Sequence, residues 1–560
     1  MFLPTSQKEL AQLGWKTLDI ILVTGDAYID SPHVGVAVIG KTLMAAGYRV
    51  GILPQPDISG RGDIARLGEP ALFWGVTAGC VDSMISNYTS TGKKRRQDDL
   101  TAGGRNTRRP DRAVIAYVNL IRRWFKNTRP VIIGGIEASL RRISHYDFWS
   151  DSVRRSLLFD SRADILVYGM GEKTTLELAD CLRNNRPTRD IRGICYKSDL
   201  KPDGFLELPA HDTVRHDKTA FTDMFTVFYR NTDPVTARGL FQKQDTRYLI
   251  QNPPQWPLSP EELDRTYELD YERRAHPCHQ AEGPVRALDT ISFSITSHRG
   301  CNGECGFCAI AAHQGRRVVS RSESSILKEA RYLTRHPDFK GIIQDVGGPT
   351  ANMYGMDCKL WQKHKPCENK HCLTPTPCVN LSIGHLRQIH LLRQLRELPN
   401  VRKIFIGSGI RHDLIVADKK NGRSYLGEIV SHHISGQIKV APEHSQAHVL
   451  QLMGKPDTAV LTQFLTLFKQ LNRERNKRQF LTCYFIAAYP GCTLADMAAL
   501  KQFVRRTLGF RPQQVQIFTP SPSTVATLMY YTEQSFPDGG PLFVEKQIKK
   551  KERQKQLLVS

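Results

Sequence analysis

The chain lacks any stretch of about 18 apolar residues free of charges, so no membrane-spanning helix and no membrane partner are expected. Its start, Met1 to Glu9, lacks a basic region followed by an apolar one. No secretory leader is therefore expected, and the expected location is the cytoplasm. The 13 cysteines are an odd number, which with the missing leader argues against a disulfide framework. Acidic residues are few beside basic ones: 55 Asp and Glu against 78 Lys and Arg, a net charge of +23. That excess makes RNA a candidate partner, although no RRM or KH signature accompanies it. Runs such as Lys93-Lys94-Arg95-Arg96 and Lys549-Lys550-Lys551 fit a solvated surface equally well. What is present is ordinary for a globular protein. The chain has 560 residues, 40% of them hydrophobic, enough for more than one core.

The order of short apolar runs predicts an α/β protein. Asp19 to Thr24, Tyr48 to Leu53, Pro130 to Ile133 and Asp164 to Tyr168 read as strands, each followed by a turn or a helix. This predicts a doubly wound parallel sheet over 1–215. Glycines at its strand-to-helix turns suit either a phosphate tail or a tight turn with no ligand. Residues 85–112 read as a basic surface loop. Residues 216–285, with Asn252-Pro253-Pro254, read as a connector. A second series of six strands, from Ile291 to Phe518, predicts a partial βα barrel over 286–540 with a Cys-rich insertion at 355–380. Residues 541–560 read as a basic, helix-like tail.

Seven cysteines fall between Cys301 and Cys378. After the first strand of the second series comes Cys301-x3-Cys305-x2-Cys308. Three thiolates can hold three irons of a cubane and leave a fourth open to a chelating ligand. A zinc knuckle is the alternative, with His313 as a fourth ligand. The spacing, with Phe307 before the third cysteine, resembles the radical S-adenosylmethionine superfamily. The resemblance implies a [4Fe–4S] cluster that reductively cleaves S-adenosylmethionine to a 5′-deoxyadenosyl radical. It also implies an external one-electron reductant of flavodoxin or ferredoxin type. It places Phe307 against the adenine, the backbone of Gly347 and Gly348 at the methionine amino group, and Ser408 at the ribose. Pro349 stands where that superfamily has Glu. Lys439 opens Lys439-Val440-Ala441-Pro442-Glu443-His444, a stretch similar to one in radical methylthiotransferases, and it is carried as a further cofactor-binding candidate. Tyr489-Pro490-Gly491 would border the adenine.

Four further stretches carry a closer resemblance, to the YgiQ-like radical S-adenosylmethionine proteins. They are Thr24 to Asp30, Gly134 to Arg142, Gln251 to Pro254 and Asp345 to Tyr354. Members of that family commonly run past the point where this chain ends, so a shortened C-terminus is an open expectation. The second cysteine group, Cys358, Cys367, Cys372 and Cys378, has prolines and few apolar residues between its members. It is a candidate auxiliary iron–sulfur cluster or structural zinc site, with His364 and His371 as further ligands. The reduced-thiol alternative stays open. An upstream doubly wound domain is similar in architecture to cobalamin-binding domains. The motif Asp-x-His-x-x-Gly is missing after the first strand, which argues against cobalamin. The leading expectation is an enzyme of unknown substrate. The rival is a non-catalytic iron–sulfur or metal-bound scaffold or RNA-binding protein.

Overall fold

Short apolar runs closed by glycine or polar turns become the strands of a nine-stranded sheet. The computed structural model describes residues 1–560 except 364, 366, 368–369, 510 and 560, and it divides into two units. Unit 1 comprises Met1–Leu258 and Arg265–Ser292; unit 2 comprises Ser259–Asp264 and Phe293–Ser560.

In unit 1 the strands are β1 Ile20–Thr24, β2 Val50–Pro54, β3 Phe73–Thr77, β4 Val131–Gly134 and β5 Ile165–Val167. They are followed by β6 Ile194–Ser198, β7 Leu206–Leu208, β8 Leu240–Gln244 and β9 Arg247–Gln251. The sheet order is β7-β8-β9-β6-β5-β4-β3-β1-β2, with β2-β1-β3-β4-β5 all parallel. Every residue of β1 and β2 is buried, as parallel strands covered on both faces require. Helices Gly35–Ala45 and Glu172–Arg183 join one core cluster through Val36, Ala37, Val38, Leu178 and Ala179. The parallel part runs 2-1-3-4-5, so its topological switch point lies between β1 and β3.

Three stretches of this unit differ from the sequence reading. The β3 strand was not expected, because Gly75 interrupts it. A Cβ there would lie 2.6 Å from Leu22 Cδ2, so the glycine lets β1 and β3 pack. The stretch expected as a connector carries helix Lys218–Arg230 and the antiparallel pair β8–β9, which extends the sheet. Its alternation is hidden by buried glutamines. Gln242 accepts the Ser144 N–H at 3.1 Å and Gln244 the Ser156 N–H at 3.0 Å. Within 85–112 the basic run 93–97 is exposed, yet Asp98, Thr101, Asn106 and Arg109 are buried.

Unit 2 holds β10 Ser294–Thr296, β11 Ile342–Ile343, β12 Asp345–Gly347 and β13 Lys403–Ile404, then β14 Gln437–Glu443, β15 Phe480–Ala487 and β16 Gln514–Ile517. β10 pairs with β12 and β11 with β13; β14, β15 and β16 pair in sequence, all parallel. A parallel bridge, Ile410 to Val440, joins the two groups. Helices Glu323–Leu333, Leu386–Arg396, Gly422–His432, Thr458–Glu474 and Leu494–Phe503 lie between successive strands. This is the partial βα barrel, with Ile438, Val440, Cys483, Phe485, Val515 and Ile517 on its buried side. The C-terminal basic run forms helix Ile548–Val559 and is docked. Gln554 accepts the Ala488 N–H at 2.8 Å, and Lys551 donates to the Tyr530 hydroxyl at 2.9 Å. It lacks apolar periodicity because two of its buried positions, Lys551 and Gln554, are polar.

Candidate functional site

The cysteine loop starts where the chain leaves β10 and turns back sharply. Gly300 sits at φ +81°, and a Cβ there would be 1.9 Å from the Arg317 carbonyl oxygen, so only glycine fits. Backbone bonds then fix the loop. Cys301 N–H donates to the Gly315 carbonyl at 3.3 Å and Cys308 N–H to the Cys305 carbonyl at 2.9 Å. Gly306 donates to Met453 at 3.0 Å and accepts from Ala526 at 2.8 Å. Burial raises the Cys301 thiol pKa and pushes Cys308 up to about 12, with Cys305 adding to both. Three soft donors on one desolvated loop suit an iron–sulfur cluster, whose binding drives the thiols to thiolates. Among the described residues, no three His, Cys, Asp or Glu side chains converge closely enough to enclose a single metal ion.

Two cations border this loop. Arg411 follows the turn after β13. Its Nε and Nη2 donate to Asp413 at 3.0 and 2.6 Å, and its Nη1 donates to Cys305 Sγ at 3.6 Å. Burial opposes the guanidinium charge; Asp413 and Cys305 outweigh it and hold the pKa above the usual value. Burial likewise pushes Asp413 up, and Arg411 pulls it down to about 2. Lys455 donates to the Ala441 carbonyl at 2.9 Å, pairs with Glu443 at 3.4 Å and lies 5.8 Å from the Phe307 ring centroid. Its ammonium is disfavoured by burial and favoured by Cys305 and Glu443, so its pKa is raised. Neither cation was singled out from the sequence. The available signal was position: Arg411 stands two residues past Gly409, and Lys455 follows the left-handed Gly454 that ends helix Ala447–Met453.

The remaining candidates divide between this loop and other roles. Phe307 lies against Tyr489 edge to face at 6.2 Å, and Tyr489 meets Phe518 at 5.2 Å, an aromatic shelf beside the cysteines. Gly347 and Gly348 end β12. A Cβ on Gly347 would meet Ser408 Oγ at 3.2 Å, and one on Gly348 would be 2.7 Å from the His298 ring. The Ser408 hydroxyl donates to Asp345, and the Gly407 N–H donates to the same carboxylate at 2.8 Å. That hydroxyl proton therefore closes a turn. Lys439 is exposed on β14, with Ile438 and Val440 buried beside it, and its carbonyl accepts the Ile410 N–H at 3.0 Å.

The second cysteine group is threaded together by backbone. Cys358 pairs with Leu381, Leu381 N–H donates to the Cys378 carbonyl at 3.0 Å, and Cys378 N–H to the Cys372 carbonyl at 2.9 Å. Cys372 and Cys378 share an apolar cluster with Cys301, Met353, Met356 and Leu414. Burial pushes the Cys372 thiol up to about 12, with Cys367 and Cys378 contributing. His364 lies outside the described residues.

The motifs of unit 1 are charge networks. Asp26, after β1, accepts the Cys80 N–H at 2.6 Å and the Arg109 guanidinium at 2.5 Å; Arg109 also pairs with Asp98 at 3.0 Å. Asp30 pairs with Lys41 at 3.0 Å, both side chains buried. In the Gly134 to Arg142 stretch, Glu137 accepts the Ser83 N–H at 2.9 Å, Arg141 pairs with Asp82, and the Arg142 guanidinium lies over Tyr168 and Phe228.

A doubly wound domain joined to a partial barrel bearing three cysteines defines a radical S-adenosylmethionine protein, and residues 2–294 match the Radical SAM N-terminal family. More narrowly, the chain belongs to the UPF0313 family. A UPF0313 protein of Fusobacterium nucleatum subsp. nucleatum is 51% identical over 558 residues, spanning 100% of this chain and 98% of its own. One of Thermotoga petrophila is 47% identical over 559 residues, spanning 99% and 98%. The fold is shared with the radical S-adenosylmethionine methyltransferase TsrM of Kitasatospora setae with cobalamin and [4Fe–4S] cluster bound. That structure has a TM-score of 0.51 at 16% identity, covering 96% of this chain and 85% of that one. It is also shared with the cobalamin-dependent enzyme OxsB with aqua-cobalamin and S-adenosylmethionine bound, with TM-score 0.51, 13% identity, and coverage of 94% and 57%. These structures correct the expectation against cobalamin. The reason is topological: a doubly wound sheet offers its ligand crevice at the switch point, whether or not the histidine motif is present.

No helix among the described residues is long and apolar enough to cross a membrane.

Proposed function

We propose that this protein is an enzyme in which Cys301, Cys305 and Cys308 hold a [4Fe–4S] cluster for cleavage of S-adenosylmethionine. The observation that carries this reading is the loop itself: three half-buried cysteines, fixed by Met453 and Ala526 and bordered by the Arg411 and Lys455 cations. When bound, such a group supplies one electron to the sulfonium of S-adenosylmethionine; the electron comes from an external carrier of flavodoxin or ferredoxin type. The chain's own part is to seat and shield. Phe307, packed edge to face on Tyr489, supports an aromatic contact for the adenine, and the glycines at 347 and 348 add no side chain of their own at the end of β12. Cys358, Cys367, Cys372 and Cys378 are proposed as ligands of a second metal, supported by the backbone bonds that string Cys358, Cys372 and Cys378 together.

Anaerobically reconstituted protein should hold about four irons per chain at the first site, and more if the second site fills with iron. Reduction with dithionite and S-adenosylmethionine should release 5′-deoxyadenosine, and Cys301→Ala should abolish that release. A cluster-replete sample that yields no deoxyadenosine would sink the enzymatic reading. Unchanged RNA affinity in Cys301→Ala, with no turnover, would favour the binding-protein rival. Zinc or iron beyond four atoms, lost in Cys372→Ser, is the result expected for the second site.

A further inference from the structure

We propose that Arg411, assisted by Lys455, raises the reduction potential of the cluster at Cys301, Cys305 and Cys308 by directing positive charge at Cys305. This rests on the cluster reading above. The geometry is directional. Asp413 takes Nε and Nη2 of the Arg411 guanidinium and leaves Nη1 pointing at Cys305 Sγ, 3.6 Å away. The backbone of Arg411 is clamped on both sides by one asparagine. Its N–H donates to Asn352 Oδ1 at 2.8 Å, and Asn352 Nδ2 donates to its carbonyl at 3.0 Å. The cysteine loop leaves room for it, because any Cβ at Gly303 would lie 2.5 Å from Nη1. On the Phe307 side, Lys455 is fixed by the Ala441 carbonyl and Glu443, its side chain only 8% exposed. Reduction adds one negative charge to a group ligated by three thiolates. An N–H donor and a cation at a ligating sulfur favour the more negative state, and such donors help set iron–sulfur potentials. Arg411 is thus a positioning residue: it acts through Cys305.

The test is a potentiometric titration followed by electron paramagnetic resonance. It uses full-length, anaerobically reconstituted wild type, R411Q, R411K and K455Q, each assayed for iron and sulfide. One electron passes from dithionite to the cluster at each point, and no bond forms or breaks. R411Q is expected to load iron as wild type does and to be at least tenfold harder to reduce, a fall of about 59 mV. R411K, which keeps the charge and loses the fork, should fall between the two, and K455Q should shift the same way by less. A loaded R411Q at the wild-type potential overturns the proposal. Where R411Q does not load, K455Q decides: a lower potential supports the proposal, and an unchanged one overturns it. If neither variant loads iron, both residues are structural and the proposal fails. A wild type that takes up no iron fails earlier and removes the cluster reading itself, so the two failures are told apart.

Discussion

Two sets of buried cations, one in each unit, are put to different ends. In unit 1, Arg109 lies between Asp26 and Asp98, Arg141 pairs with Asp82, and Lys41 sits on Asp30. Each of these charges closes on a carboxylate that belongs to the same network. In unit 2, Arg411 and Lys455 also have carboxylate partners, yet one N–H of Arg411 reaches past its partner to Cys305, and Lys455 feels the same thiol. A closed buried pair stabilises a conformation only if both halves are present. A pair with a donor left over, aimed at a metal-ligating residue type, marks a site. The difference separates two kinds of motif that look alike in sequence, since both are strings of Asp, Arg and Gly.

The strongest way to break the comparison is Arg109→Ala. It strands Asp26 and Asp98 in the interior and should cost roughly 3–5 kcal/mol, read as a large fall in the unfolding midpoint of unit 1. A near-neutral result would mean that the unit 1 network is not closed. Gly300→Ala comes next. It forces a Cβ into a left-handed turn against the Arg317 carbonyl, and a loss of about 1–3 kcal/mol with poor iron loading is expected.

Acid tests both units. Burial lowers the pKa of His145 to about 3 and of His298, His412 and His444 to about 4. The unfolded chain protonates these rings below about 6.5 while the native state keeps them neutral. The unfolded state then binds more protons, so stability falls as pH drops from 6.5 toward 4. The limit is about 1.4 kcal/mol per ring per pH unit. Three of these four rings are in unit 2, and burial also lowers His211, His276 and His279 of unit 1, so thermal scans across that window should show both units losing stability. The smallest effect expected is Ser408→Ala. Losing one hydrogen bond to Asp345 should cost about 1 kcal/mol in a melt. An S-adenosylmethionine affinity unchanged in that variant would assign Ser408 to the turn alone.

Much of this architecture can be read from residue pattern, and the misses have physical causes. The runs at Ile20 and Val50 stand out because parallel strands buried on both faces are continuously apolar. The β8–β9 pair escapes because Gln242, Gln244 and Gln251 are buried on hydrogen bonds or in the core, which erases the apolar alternation. Cys301, Cys305 and Cys308 are legible because their spacing is local. Arg411 and Lys455 are not, since they reach the loop from a turn after a strand and from a helix end about a hundred and a hundred and fifty residues away. Ser408 has a partner that the sequence does not announce: its hydroxyl donates to Asp345.

The anchoring of Gly306 by Ala526 has a consequence for how the protein is made. That bond spans 220 residues of chain. At roughly 5–20 residues per second, a ribosome places Cys301, Cys305 and Cys308 about 10–45 s before the segment that fixes their loop. For that interval the three thiols sit on a nascent chain without their final frame. The frame that the structure shows around Cys301, Cys305 and Cys308 is therefore complete only once residue 526 has been made.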